Sequence, residues 1–126
     1  MLNVNPLSWF EIPATDLNRA RAFYEVVLET LLQPFAVGPV EMMGFPGAVE
    51  SYGAQGALAK SPEHKPGADG ITVYLSVDSI PPVQARIDAA GGKLLTPIID
   101  IGQNGSYLYF LDSEGNKVGL HQSAAN

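Results

Sequence analysis

Ser8-Trp9-Phe10-Glu11-Ile12-Pro13-Ala14-Thr15-Asp16-Leu17-Asn18-Arg19-Ala20-Arg21-Ala22-Phe23-Tyr24 carries two hydrophobic periods, one after the other. In its first half Phe10, Ile12 and Ala14 alternate with Trp9 and Glu11, the two-residue repeat of a strand with one buried face. In its second half Leu17, Ala20, Phe23 and Tyr24, followed by Val27, recur at helical spacing. Thr15-Asp16 sits where the period changes, and both residue types cap helix N-termini because their side-chain oxygens accept a free backbone N–H. The stretch predicts a strand over 7–14 that turns sharply into a helix over 16–29 packed back on it.

The rest of the first half reads as three strands, over 31–37, 40–45 and 51–60. Pro34 restricts the first of them to a sheet edge or a bulge, since proline has no N–H for a ladder. Residues 61–69 are polar, rich in turn formers and without period, so they are expected to form an exposed linker, with His64 exposed in it. The opening pattern then returns. Ile71, Val73, Leu75 and Val77 alternate with Thr72, Tyr74 and Ser76; Asp78-Ser79 offers a cap; Val83, Ile87 and Ala90 space a helix that Gly91-Gly92 ends. Strands are expected over 93–96, 106–111 and 117–122, the last two joined by the hairpin Asp112-Ser113-Glu114-Gly115-Asn116. Asp16 and Asp78 lie 62 residues apart (78 − 16), about half of the 126-residue chain. A repeat at that period predicts an α+β fold of two βαβββ modules, the first over about 6–60 and the second over about 70–122.

Composition narrows the function classes. An apolar share of 46% with 16% charged residues predicts an ordered domain with a real core. Cysteine is absent, which excludes disulfides, thiolate metal sites and a cysteine nucleophile, and suits a cytoplasmic location. No apolar run reaches ~18 residues, so no membrane span is expected, and Met1 to Asn5 lack the basic and apolar regions of a secretion signal. The net charge is −6 and the Lys and Arg residues do not cluster, which argues against nucleic acid as a partner. Phosphate-binding glycine loops, a G-x-S-x-G elbow and an H-E-x-x-H helix are all missing.

Alternation assigns each strand residue to a face. Phe10, Ile12, Val73, Leu75, Val118 and Leu120 should lie under the helices. Trp9, Glu11, Thr72, Tyr74, Tyr107, Tyr109, Gly119 and His121 fall on the opposite faces, a polar and aromatic mixture suited to a solvated cleft. Three stretches then carry a family likeness: Thr15 to Tyr24 with the pattern D-x-x-x-A-x-x-F-Y; Leu75-Ser76-Val77-Asp78-Ser79-Ile80; and Phe110 to Asn116, a D-P-x-G-N hairpin with Ser113 in place of proline. With these motifs in this order the chain resembles the vicinal oxygen chelate superfamily, which includes glyoxalase I, bleomycin-resistance proteins and extradiol dioxygenases. The resemblance implies curved sheets that form a cleft, a homodimer, and a divalent metal held by His, Glu or Gln at four strand positions.

Those four positions fall here on Trp9, Thr72, Gly119 and a residue near Ala57 or Ala59, none of them a useful metal ligand. No metal or other cofactor is therefore expected. A two-residue shift keeps the face and lands on Glu11 and His121. These two are candidates for a catalytic acid/base pair or for ligands of a displaced metal. The plainer reading, which is preferred, makes them a cleft carboxylate that is solvated or paired with a basic group and a residue at a strand end. Trp9, Thr72, Tyr74, Tyr107 and Tyr109 are candidate ligand-binding residues; the aromatic ones also suit a sheet surface or a dimer contact. The expected function is binding of a small apolar or aromatic molecule in a metal-free, tyrosine-lined cleft. A glyoxalase-related lyase or isomerase with Glu11 as base, and an interaction module with a vestigial cleft, are the alternatives.

Overall fold

A computed structural model describes residues 5–124. The secretion-signal reading of Met1 to Asn5 rests largely on residues outside that range. Module one contains β1 (Trp9–Pro13), α1 (Leu17–Leu28), β2 (Gln33–Val37), β3 (Val40–Gly44) and β4 (Gln55–Lys60). Its sheet runs β1-β4-β3-β2, with β1 parallel to β4 and the other pairs antiparallel. Pro34 lies on the edge strand, as its missing N–H requires.

Module two contains β5 (Tyr74–Ser76), α2 (Ile80–Ile87), β6 (Lys93–Leu94), β7 (Ile99–Asp100), β8 (Ser106–Leu111) and β9 (Lys117–Gln122). The order β5-β9-β8-β6 repeats that of module one, and β7 also pairs with β8. The strand expected over 93–96 is thus broken in two. The N–H groups of Leu95 and Thr96 both point at the carbonyl of Tyr109, so two residues oppose one in a bulge. Pro97 follows and cannot donate, and pairing with β8 resumes at Ile99. The strand expected from Ile71 also shortens, although its ladder runs one residue beyond each end: Gly119 donates to the Val73 carbonyl and Val77 to the His121 carbonyl.

Asp16 caps α1 as its side chain predicts, accepting from Arg19 N–H at 3.0 Å. The cap of α2 is Ser79 rather than Asp78, and its side chain makes no capping bond. The Ile80 N–H donates instead to Gln122 Oε1 at 2.7 Å, an acceptor brought from β9. Counted from cap to cap the repeat is therefore 63 residues (79 − 16). That offset makes Glu11 the structural counterpart of Tyr74 and Ile12 that of Leu75.

The helix-side faces of both sheets meet in one core. Ile12, Met43 and Leu58 enter it from module one; Leu75, Leu108, Phe110, Val118 and Leu120 enter from module two; Phe23, Tyr24, Ile80 and Ile87 come from the helices. Phe23 of α1 reaches Phe110 on β8, with ring centroids 6.1 Å apart. Gly92 makes room for this, since a Cβ there would stand 2.7 Å from the Phe23 ring. The β8–β9 hairpin then ties the modules together. Buried Asp112 accepts from Tyr24 Oη at 2.6 Å, from the Glu114 and Asn116 N–H groups at 2.9 Å each, and from Asn116 Nδ2 at 3.0 Å. Asn116 Nδ2 also donates to the Pro13 carbonyl at 2.7 Å. Burial, followed by the Asp112 charge, pushes the Tyr24 hydroxyl well above its ordinary range, so it stays a donor. Glu114 accepts from the Thr15 and Asp16 N–H groups and pairs with Arg19 at 2.7 Å, a second link from the hairpin to the turn before α1.

Candidate functional site

With the helix-side faces joined in one core, the opposite face of each sheet turns outward. On module one this face carries Trp9, Glu11, Ala57, Ala59, Met42 and Phe35, as the strand register shows. Glu11 lies directly across from Ala57. Each oxygen of its carboxylate takes one hydrogen bond: Trp9 Nε1 donates to Oε2 at 3.0 Å, and His64 Nε2 meets Oε1 at 2.7 Å. The His64 hydrogen bond, then that of Trp9, holds the Glu11 carboxyl below its ordinary range, so it is an anion at neutral pH. The Trp9 ring also meets Phe35 edge-on, with centroids 6.2 Å apart.

On module two the outward face is aromatic. Tyr74 of β5 lies directly across from Gly119 of β9, and Tyr109 of β8 faces the same glycine. A Cβ on Gly119 would stand 2.4 Å from the Tyr74 ring, so the ring rests on bare backbone. Tyr74, Tyr107 and Tyr109 pack together with centroids 5.3 to 6.3 Å apart. The Tyr74 and Tyr109 hydroxyls share a hydrogen bond, which pushes Tyr74 up to about 12. Lys117 Nζ stands 4.3 Å from the Tyr109 ring centroid, an attractive cation–π contact. His121 lies across from Tyr107, and its Nε2 meets the Asn104 carbonyl at 2.7 Å. Thr72 lies half-buried just before β5.

The three tyrosines are therefore brought together, with His121 beside them. Glu11 and His121 stand on different sheets, and no hydrogen bond joins them among the described residues. The base that meets Glu11 is His64, which is half-buried over β1 rather than exposed in the linker. Nothing local in the sequence announces this contact, because it spans 53 residues of chain. The turn Ser61-Pro62-Glu63-His64 is readable; what it folds against is not.

Matching the outward faces by register makes Ala57 the counterpart of Gly119. The four positions at which the resemblance expects metal ligands are thus Trp9, Ala57, Thr72 and Gly119. Ala57 is wholly buried beside Met42 and Ala59, and Gly119 lies under the Tyr74 ring. Among the described residues no three His, Cys, Asp or Glu side chains are grouped so as to hold a metal ion. These residues do not fit the metal that the fold implies.

The family model for the Glyoxalase/Bleomycin resistance protein/Dioxygenase superfamily matches residues 7–120. The chain belongs to this superfamily. A glyoxylase-like domain-containing protein of Didymella fabae is 30% identical over 114 residues, which cover 87% of this chain and 88% of that protein. A glyoxalase/bleomycin resistance protein from Albidiferax ferrireducens T118 superposes with a TM-score of 0.69 at 18% identity, over 95% of this chain and all of the other. TnmS3, an antibiotic binding protein from Streptomyces sp. CB03234, gives the same TM-score at 20% identity, over 98% of this chain and all of the other. The superfamily member described here keeps the shared fold. Among its described residues no helix is long and apolar enough to cross a membrane.

Proposed function

We propose that this protein binds a small apolar or aromatic molecule without a metal, on the face made by Tyr74, Tyr107 and Tyr109. The observation that carries this reading is the Tyr74 ring lying on Gly119, where the family would have a metal ligand. The exposed parts of these rings offer aromatic contacts worth about 0.5–1.5 kcal/mol each. In the Tyr74–Tyr109 hydroxyl pair one O–H donates to the other, and the second O–H is left to donate to a ligand. Because the two outward faces of one chain point away from the shared core, a homodimer would complete the cleft. Trp9 and Phe35 of one copy would then stand opposite the tyrosines of the other. A cytoplasmic location agrees with the cysteine-free composition. A glyoxalase-related lyase or isomerase with Glu11 as base is supported by the ionised state of Glu11. Both carboxylate oxygens are already engaged, so binding is preferred.

Trp9 is the sole tryptophan and is 39% exposed, so it reports on the cleft. Aromatic ligands are expected to quench its fluorescence, and Tyr109→Phe to weaken that binding about 5- to 10-fold by removing one hydrogen-bonding hydroxyl. A broad ligand screen with neither quenching nor a thermal shift would overturn the reading.

A further inference from the structure

The contact that stands outside the binding reading is the chain of hydrogen bonds ending on Glu11. Ser61 Oγ meets His64 Nδ1 at 2.6 Å, His64 Nε2 meets Glu11 Oε1 at 2.7 Å, and Trp9 Nε1 donates to Glu11 Oε2 at 3.0 Å. The roles in this chain follow from its ends. Ionised Glu11 can only accept, so Nε2 carries the proton, and in the neutral ring Nδ1 is then the acceptor. The Ser61 O–H therefore donates to Nδ1. Both ring nitrogens are taken, which leaves Ser61 Oγ as the reactive end of the relay.

The turn holds this geometry by short local bonds. Pro62 fixes one backbone angle, the His64 N–H donates to the Ser61 carbonyl at 3.1 Å, and the Glu63 N–H donates to Ser61 Oγ at 3.1 Å. That last bond takes one acceptor position of the hydroxyl and leaves the other for attack. Ser61 and His64 line an open surface pocket of about 580 Å³, together with Thr15, Glu41, Lys60 and Lys65. Neither lysine is in an ion pair among the described residues.

We propose that Ser61 is an acylatable nucleophile, activated by His64 and oriented through Glu11, for small activated esters that carry a carboxylate. The nucleophile, the base and the group that orients the base stand in hydrogen-bonded sequence, the arrangement that nucleophilic catalysis requires. Ser61 Oγ attacks the ester carbonyl carbon while its proton passes to His64 Nδ1. The C–O bond to the alcohol breaks, and the departing alkoxide takes that proton. Acyl-Ser61 remains. Water then attacks the acyl carbon, gives its proton to Nδ1, and Ser61 leaves with that proton, releasing the carboxylic acid. Glu11 faces the imidazolium formed in each half and stabilises it. Lys60 and Lys65 attract the carboxylate of the ester.

A phosphonofluoridate probe tests the nucleophile on the unmodified protein. Oγ attack forms an O–P bond and expels fluoride, and the expected result is one adduct per chain, mapped by peptide mass to Ser61. His64→Gln is expected to slow labelling about 100-fold or more through loss of the base, with folding checked by circular dichroism. An adduct on a tyrosine or lysine instead of Ser61, labelling no faster than in urea, or an unchanged rate in folded His64→Gln would each overturn the proposal. A p-nitrophenyl ester bearing a carboxylate should acylate Ser61 faster than p-nitrophenyl acetate; equal rates would overturn the role of the lysines. The tyrosine face lies on module two, so failure here leaves untouched the effect of Tyr109→Phe on ligand-induced thermal shift, which reads the binding proposal without Trp9.

Discussion

The two modules share strand order and register and differ in what one matched pair does. Module one sets Glu11 across from Ala57; module two sets Tyr74 across from Gly119. A carboxylate beside a methyl group leaves space for a histidine to approach from the linker, and His64 takes it. A phenol over a glycine lies flat and recruits two further tyrosines. One backbone scaffold thus presents a charged relay on one outward face and an aromatic platform on the other. A duplicated fold with fixed sheet geometry can diverge in chemistry through one cross-strand pair, because that pair decides what can stand on the sheet.

The same scaffold means that the hairpin joining the modules should matter most to stability. Asp112→Ala is expected to cost about 3 kcal/mol or more, because it leaves the buried Tyr24 hydroxyl and hairpin N–H groups without their acceptor. Urea denaturation would measure it, and a loss under 1 kcal/mol would show that the two modules stand without this link. A smaller effect is expected where the modules diverge. Gly119→Ala forces a methyl group into the Tyr74 ring and should cost about 1–3 kcal/mol. It should also move Tyr74 away from Tyr109 and bring the Tyr74 titration down from about 12, which ultraviolet difference titration would detect. An unchanged Tyr74 titration in Gly119→Ala would mean that the glycine does not position the ring.

The smallest effect belongs to Glu11, which is partly exposed and so worth under about 1 kcal/mol. Its folded-state pKa is depressed, first by His64 and then by Trp9. Its stabilisation is therefore present above the unfolded-state pKa and lost as pH falls through the folded one. Glu11→Gln should flatten the acid limb of a stability–pH curve while changing little at neutral pH. An acid limb of unchanged slope would show that the His64 contact contributes nothing to folding.

The sequence by itself determined whatever depends on period and local chemistry. The alternation of Phe10, Ile12 and Ala14 put Ile12 and Ala14 in the core, and the helical spacing of Ala20, Phe23, Tyr24 and Val27 buried all four. Asp16 acts as a cap because its oxygen reaches an N–H three residues away. The outward faces, with Trp9 and Glu11 on one and the tyrosines on the other, also followed from the two-residue repeat. Only the tertiary structure decided which distant groups meet. Of the pair Asp78-Ser79 that offered a cap for α2, Ser79 takes the position without a side-chain bond, and Gln122 arrives from β9 to satisfy the helix N-terminus. The strand after Gly92 broke because Tyr109 on β8 offers one carbonyl to two N–H groups. Glu11 found His64 rather than His121 because the two sheets share a core through their helix-side faces, which turns the other faces apart. Each of these depends on elements far apart in the chain, and a side chain's spacing along the sequence carries no record of what will fold against it.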